Sequence, residues 1–121
     1  MKTKTTVLLL TSVILCAARA HAGSAAWNLN PTSSDWNTAA NWTPTTVPNG
    51  PADTASFATS TVTTLSVSQD VEVDSIVFAA GADDFTITNK AGVMLTISGT
   101  GVSNSSGLAQ NFVNLDSATD L

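Results

Sequence analysis

The chain has 121 residues, four of them basic and nine acidic, for a formal charge of −5, with one cysteine and one histidine. So few Lys and Arg argue against nucleic acid as a partner, because phosphate neutralisation needs clustered cations. A lone cysteine closes no disulfide within the chain, so packing has to hold the fold together.

The N-terminus reads "MKTKTTVLLLTSVILCAARAHAGSA". Lys2 and Lys4 give a positive start, Val7 to Ala18 is a short apolar run, and Ala20-His21-Ala22 places small residues where a signal peptidase reads them. Residues 1–22 are therefore expected to be a secretory signal cleaved after Ala22. The apolar run falls short of the roughly 20 residues needed to span a bilayer, so no transmembrane span is expected. Cys16 follows Leu15, which is too large for a lipoprotein signal. In the remaining residues 23–121, Lys90 is the only base against nine carboxylates, a formal charge of −8, and no Cys, His, Arg or Tyr remains. Thiolate and histidine metal sites drop out. So do nucleophile–base pairs, unless Lys90 serves as the base. Only carboxylate chemistry survives, and no cofactor is expected.

Residues 23–56 hold all four prolines and all three tryptophans. "DWNTAANW" (35–42) packs two Trp and two Asn into eight residues, with Trp27 just upstream. Short strands around the tryptophans are expected, and "VPNGPAD" (47–53) predicts a turn, since Pro presets φ and Asn-Gly tolerates positive φ. From residue 57 the texture changes. "TLSVS" (64–68) alternates apolar and polar residues, as does "VEV" (71–73), and "SIVF" (75–78) resumes on the opposite parity. That slip near Asp74 predicts a bulge or corner. "FTIT" (85–88) and "VMLTIS" (93–98) continue the alternation, and "GTGVSNSSG" is expected to break it.

Apolar centres at Val67, Val77, Ile87 and Ile97 recur about every ten residues, with Gly and Asn/Asp between most of them. This spacing predicts an all-β chain built as a sandwich, a barrel or a solenoid. High Ser, Thr and Asn content with little charge favours the solenoid over the β-sandwich alternative. "WN" (27–28), "SSDWNTAANWTPTTVPNGPADTASFATSTVTTLSVS", "EVDSIVFAAGADDFTIT", "LTISGTGVSNSSG" and "QNFV", in that order, resemble the N-terminal region of secreted bacterial proteins with autotransporter-associated β-strand repeats. The resemblance spans about residues 24 to 113. It implies a right-handed parallel β-helix carried on a surface or secreted passenger protein, and no catalytic residue. The change of texture near residue 56 divides residues 23–121 into a Trp/Asn/Pro-rich cap region (23–56) and expected β-solenoid rungs (57–121). Members are usually longer, so the rungs are expected to be truncated at the C-terminus. An open final strand predicts self-association by edge pairing.

Two clusters are candidate sites. Trp36 and Trp42, with Asn37 and Asn41, could stack on and hydrogen-bond a sugar, as in a carbohydrate-binding module. The same tryptophans could equally pack as a cap, each burying large apolar area. Their spacing of six would put both on one face of a continuous strand. Asp70, Glu72 and Asp74 alternate along one stretch. They could ligate calcium, and two strand steps, about 6.6 Å, lie within the carboxylate spacing of an inverting glycoside hydrolase. The bland alternative is a solvated outer face. The leading expectation is a non-enzymatic, secreted or cell-surface, adhesin-like scaffold, with an extracellular glycan or surface as its partner. A sugar-binding module comes next, and a carboxylate glycosidase last.

Overall fold

The computed structural model describes residues 23–115. The expected signal segment and the last six residues of the expected rungs lie outside the described residues. Eight strands and one short 3-10 turn order as β1 (Ala25–Trp27), η1 (Ala39–Asn41), β2 (Trp42–Thr43), β3 (Gly50–Phe57), β4 (Thr64–Val67), β5 (Val71–Phe78), β6 (Thr86–Asn89), β7 (Leu95–Asn104) and β8 (Asn111–Asn114). The chain is all-β, as the alternation predicts. No helix of the described residues is long and apolar enough to cross a membrane.

From β3 onward, successive strands alternate between two sheets. One sheet orders β2-β1-β3-β5-β7 and the other β4-β6-β8. Every pairing is parallel except β1 with β2. Register puts like on like. Leu65 lies beside Ile87 and Ile87 beside Phe112, while Val73 lies beside Ile97 and Phe57 beside Phe78. Polar positions match as well, with Thr64 beside Thr86 and Ser66 beside Thr88. Inward positions Leu65, Val67, Val71, Val73, Ile76, Phe78, Phe85 and Ile87 are buried. At about 25 cal/mol per Å² of apolar surface, burying each such side chain contributes about 1.5–3 kcal/mol against chain entropy.

The expected phase slip is a bulge. Val73 pairs with Ile97, but the next pair is Ser75 with Gly101, so β7 carries two extra residues there. Gly101 takes φ 95° at this point, a conformation that costs glycine little. Gly99 has a different reason to be glycine: a Cβ there would sit 1.8 Å from the Asp74 carboxylate oxygen.

Three details depart from the sequence reading. β3 begins at Gly50, inside the segment expected to turn. β7 runs through "GTGVSN", which was expected to end the strand. Here the β5 backbone supplies a ladder from Ser75 to Phe78, and pairing overrides weak local propensity. β8 was not foreseen, because its four residues hold only two apolar side chains.

Candidate functional site

The Trp-Asn cluster closes one end of the molecule. β2 runs antiparallel along the outer edge of β1. Ser34–Trp36 lies along the outer edge of β4: Asp35 bridges Ser66, the Trp36 amide donates to the Ser66 carbonyl at 2.9 Å, and the Ser66 amide donates to Ser34 at 2.8 Å. β1 and β4 are thus each flanked at this end, and the outermost backbone is the two-residue β2 on one sheet and the single bridge at Asp35 on the other.

The tryptophans fill the space beneath that cover. Trp36 is 0 % exposed and Trp42 1 %. Trp27 and Trp42 meet edge to face with centroids 5.1 Å apart, and Trp36 and Trp42 likewise at 4.9 Å. Phe57 touches all three rings and stacks on Phe78 at 5.1 Å. Each indole N–H donates to a backbone carbonyl: Trp27 to Val62, Trp36 to Pro48, and Trp42 to Trp36. No ring face of Trp36 or Trp42 is open to a sugar. The two rings also do not share a strand, since η1 separates Trp36 from β2. They meet because the chain folds back, which the spacing of six did not encode.

The asparagines hold backbone. Asn41 is fully buried. Its Oδ1 accepts from the Thr32 amide, the Thr32 hydroxyl and the Ser33 amide at 2.8, 2.9 and 3.1 Å. Its Nδ2 donates to Ser33 Oγ at 2.9 Å and to the Asp35 carbonyl at 2.8 Å. An amide suits this place because it both donates and accepts. Asn37 Oδ1 accepts from the Ser68 and Gln69 amides, tying the segment to the corner after β4. Asp35 joins in, accepting from the hydroxyls of Thr38 and Ser68.

The carboxylate stretch is more open. Asp70 and Glu72 line a shallow cavity of about 240 Å³ with Asn49, Val71, Met94 and Thr96. Asp70 Oδ1 accepts from the Met94 amide at 2.9 Å. Asn49 bridges the pair, accepting from the Glu72 amide at 3.0 Å and donating to the Asp70 carbonyl at 3.4 Å. Asp74 stands apart at the bulge itself, where Thr100 donates to its Oδ2 at 2.6 Å. That hydrogen bond holds the Asp74 carboxyl below the ordinary aspartate value of 3.8, with Ser75 adding a smaller contribution. The structure does not gather Asp70, Glu72 and Asp74 about one point. Among the described residues no three His, Cys, Asp or Glu side chains are grouped to hold a metal ion.

The opposite end of the molecule carries a feature that the sequence reading missed. Between the outer edges of β7 and β8 lies an apolar cavity of about 270 Å³, lined by Ile87, Asn89, Leu95, Ile97, Phe112, Val113 and Asn114. Its signal in the sequence was "QNFV", where two large apolar residues follow a polar turn.

No family model, no curated protein and no solved structure matches this chain.

Proposed function

We propose that this chain is a segment of a right-handed parallel β-helix that serves as a non-enzymatic, secreted or cell-surface scaffold of the adhesin-like passenger type. The observation that carries the reading is the alternation of parallel strands between two sheets with like residues in register, from Leu65 to Ile87 to Phe112. Stacked turns of chain produce this pattern, whereas antiparallel sandwiches do not. Crossovers between parallel strands of one sheet are right-handed in about 98 % of cases, which supports the hand. In this reading the Trp-Asn cluster is a lid on the first turn, and recognition falls to exposed Ser, Thr and Asn rows. The export segment expected at 1–22 supplies the route outward.

Protease treatment of intact cells, with mass spectrometry of the released peptides, tests the reading. The expected result is peptides of this chain shaved from the cell exterior or found in the medium, with an N-terminus at Gly23. A chain retained in the cytoplasm with residues 1–22 attached would overturn it.

A further inference from the structure

Asn49-Gly50 is the one Asn-Gly step in the sequence, and it stands where "VPNGPAD" passes into β3. Asparagine before glycine carries a chemistry of its own. Glycine has no side chain to keep its amide nitrogen from the asparagine side-chain carbonyl, and Asn49 is exposed.

The corner is held by few bonds. Asn49 Oδ1 accepts from the Glu72 amide at 3.0 Å, while Nδ2 reaches the Asp70 carbonyl only at 3.4 Å, a length at which little is gained. The Asn49 amide donates to Asp53 Oδ2 at 3.2 Å. Gly50 pairs with Val73 in β5, and because Pro51 has no N–H, that pairing runs through the Gly50 amide itself. The next pair is Thr54 with Ser75, beyond a shift of register.

We propose that Asn49 is a self-modification site, guarded by the Gly50–Val73 pairing, whose conversion to a carboxylate unlatches this corner for good. The Gly50 nitrogen gives its proton to solvent and bonds to Asn49 Cγ. The bond from Cγ to Nδ2 breaks, and ammonia leaves. Water then opens the cyclic imide at either carbonyl, giving aspartate or isoaspartate. The inference goes beyond the scaffold reading and does not rest on it.

The same geometry both prepares the reaction and holds it off. The Glu72 N–H on Oδ1 lies where negative charge develops as the carbonyl is attacked, and a fixed donor there favours the step. The attacking nitrogen, however, is engaged in the ladder. The register shift separates Gly50 from the continuous pairing of Thr54–Phe57 with β5, so this one pairing can open while the rest of β3 stays closed. That opening sets the pace in the folded chain.

The product does not fit back. A carboxylate has no hydrogen to offer the Asp70 carbonyl. It also adds charge beside Asp53, Asp70 and Glu72, in a stretch, 23–115, whose only base is Lys90. Isoaspartate further inserts one backbone carbon ahead of Gly50, which carries Gly50 out of register with Val73.

Peptide mass spectrometry of the purified chain, kept folded or in urea at mildly alkaline pH, tests this. Asn49 should convert before any other asparagine in both states, and about tenfold more slowly when folded, since a ladder bond must open first. Asp53→Ala frees the Asn49 amide and should speed conversion several-fold in the folded chain while leaving the rate in urea unchanged. Gly50→Ala should suppress it in both states. Asn49→Asp, standing for the product, should speed hydrogen exchange at the Gly50 amide and leave Thr54–Phe57 protected, with unchanged circular dichroism. Equal rates folded and in urea would remove the guard. A folded chain that never converts would mean that the corner does not open. Earlier conversion of another asparagine, or unchanged Gly50 exchange in Asn49→Asp, would equally overturn the proposal. Cytoplasmic retention of the chain would sink the passenger reading and leave this test unaffected.

Discussion

Replacing Asn41 by alanine removes five hydrogen bonds from a fully buried site. Two of the five reach the hydroxyls of Thr32 and Ser33, exposed residues that can turn to water. The other three serve the Thr32 and Ser33 amides and the Asp35 carbonyl, which the fold holds in place. At about 1 kcal/mol net for each backbone bond lost, the cost is about 3 kcal/mol. A domain of this size is stabilised by roughly 5–14 kcal/mol, so the loss is about a fifth to three fifths of the whole. Urea unfolding followed by tryptophan emission reads it directly, because Trp27, Trp36 and Trp42 are all buried in the native state. With a denaturant slope of about 1.5 kcal/mol per molar, the midpoint should fall by about 2 M. Ser33→Ala, which removes a hydroxyl that accepts from Asn41 Nδ2 at 2.9 Å and from the Asp35 amide at a long 3.4 Å, should cost about 1 kcal/mol. An Asn41→Ala midpoint within 0.5 M of the parent, a loss below about 0.75 kcal/mol at that slope, would refute the view that this asparagine holds the lid, and would return it to the ligand-binding candidates.

Further consequences follow from the same geometry. Phe57 touches five aromatic rings, so Phe57→Ala should cost about 3–5 kcal/mol, seen as a fall in the thermal midpoint of at least 12 °C at about 4–8 °C per kcal/mol; a smaller fall would mean that the cluster collapses around the gap. Acrylamide should quench native tryptophan emission weakly and unfolded emission strongly, and strong native quenching in a chain folded by circular dichroism would revive sugar stacking on Trp36 and Trp42. Asp74 titrates below 3.8 because Thr100 donates to it, so its contribution is present above that ordinary value and is lost as pH falls through its lowered folded value. Thr100→Ala should move the Asp74 carboxyl carbon titration up toward 3.8 by NMR, and an unmoved titration would count against this hydrogen bond. Gly99→Ala should push the same carboxylate aside, since the added Cβ would meet it at 1.8 Å, and should raise the Asp74 titration in the same way.

Much of the fold was legible residue by residue. Alternation at 64–68, 71–78, 85–88 and 93–98 placed four strands, and the parity slip at Asp74 placed the bulge, because side chains on a strand have a period of two. The acid-rich composition of residues 23–121, free of histidine and cysteine, narrowed the chemistry to carboxylates. Legibility ended where pairing decides. "GTGVSN" is strand only because β5 lies alongside to receive its backbone bonds. Asn37, Asn41, Asn49 and Asp70 accept amides 8 to 32 residues away, and no local pattern encodes those partners. The candidate sites differ for the same reason. An aromatic or a carboxylate has the same letter whether it faces water or core, so "DWNTAANW" read more readily as a packed cap but left the sugar platform open. What settles it is the fold-back that lays Ser34–Trp36 on β4 and sets Trp27, Trp36 and Trp42 against Phe57. The sequence by itself determined strand period, charge and the chemistry left open. Tertiary structure alone decided which strands pair and which residues share the core, because edge pairing joins residues that lie far apart along the chain.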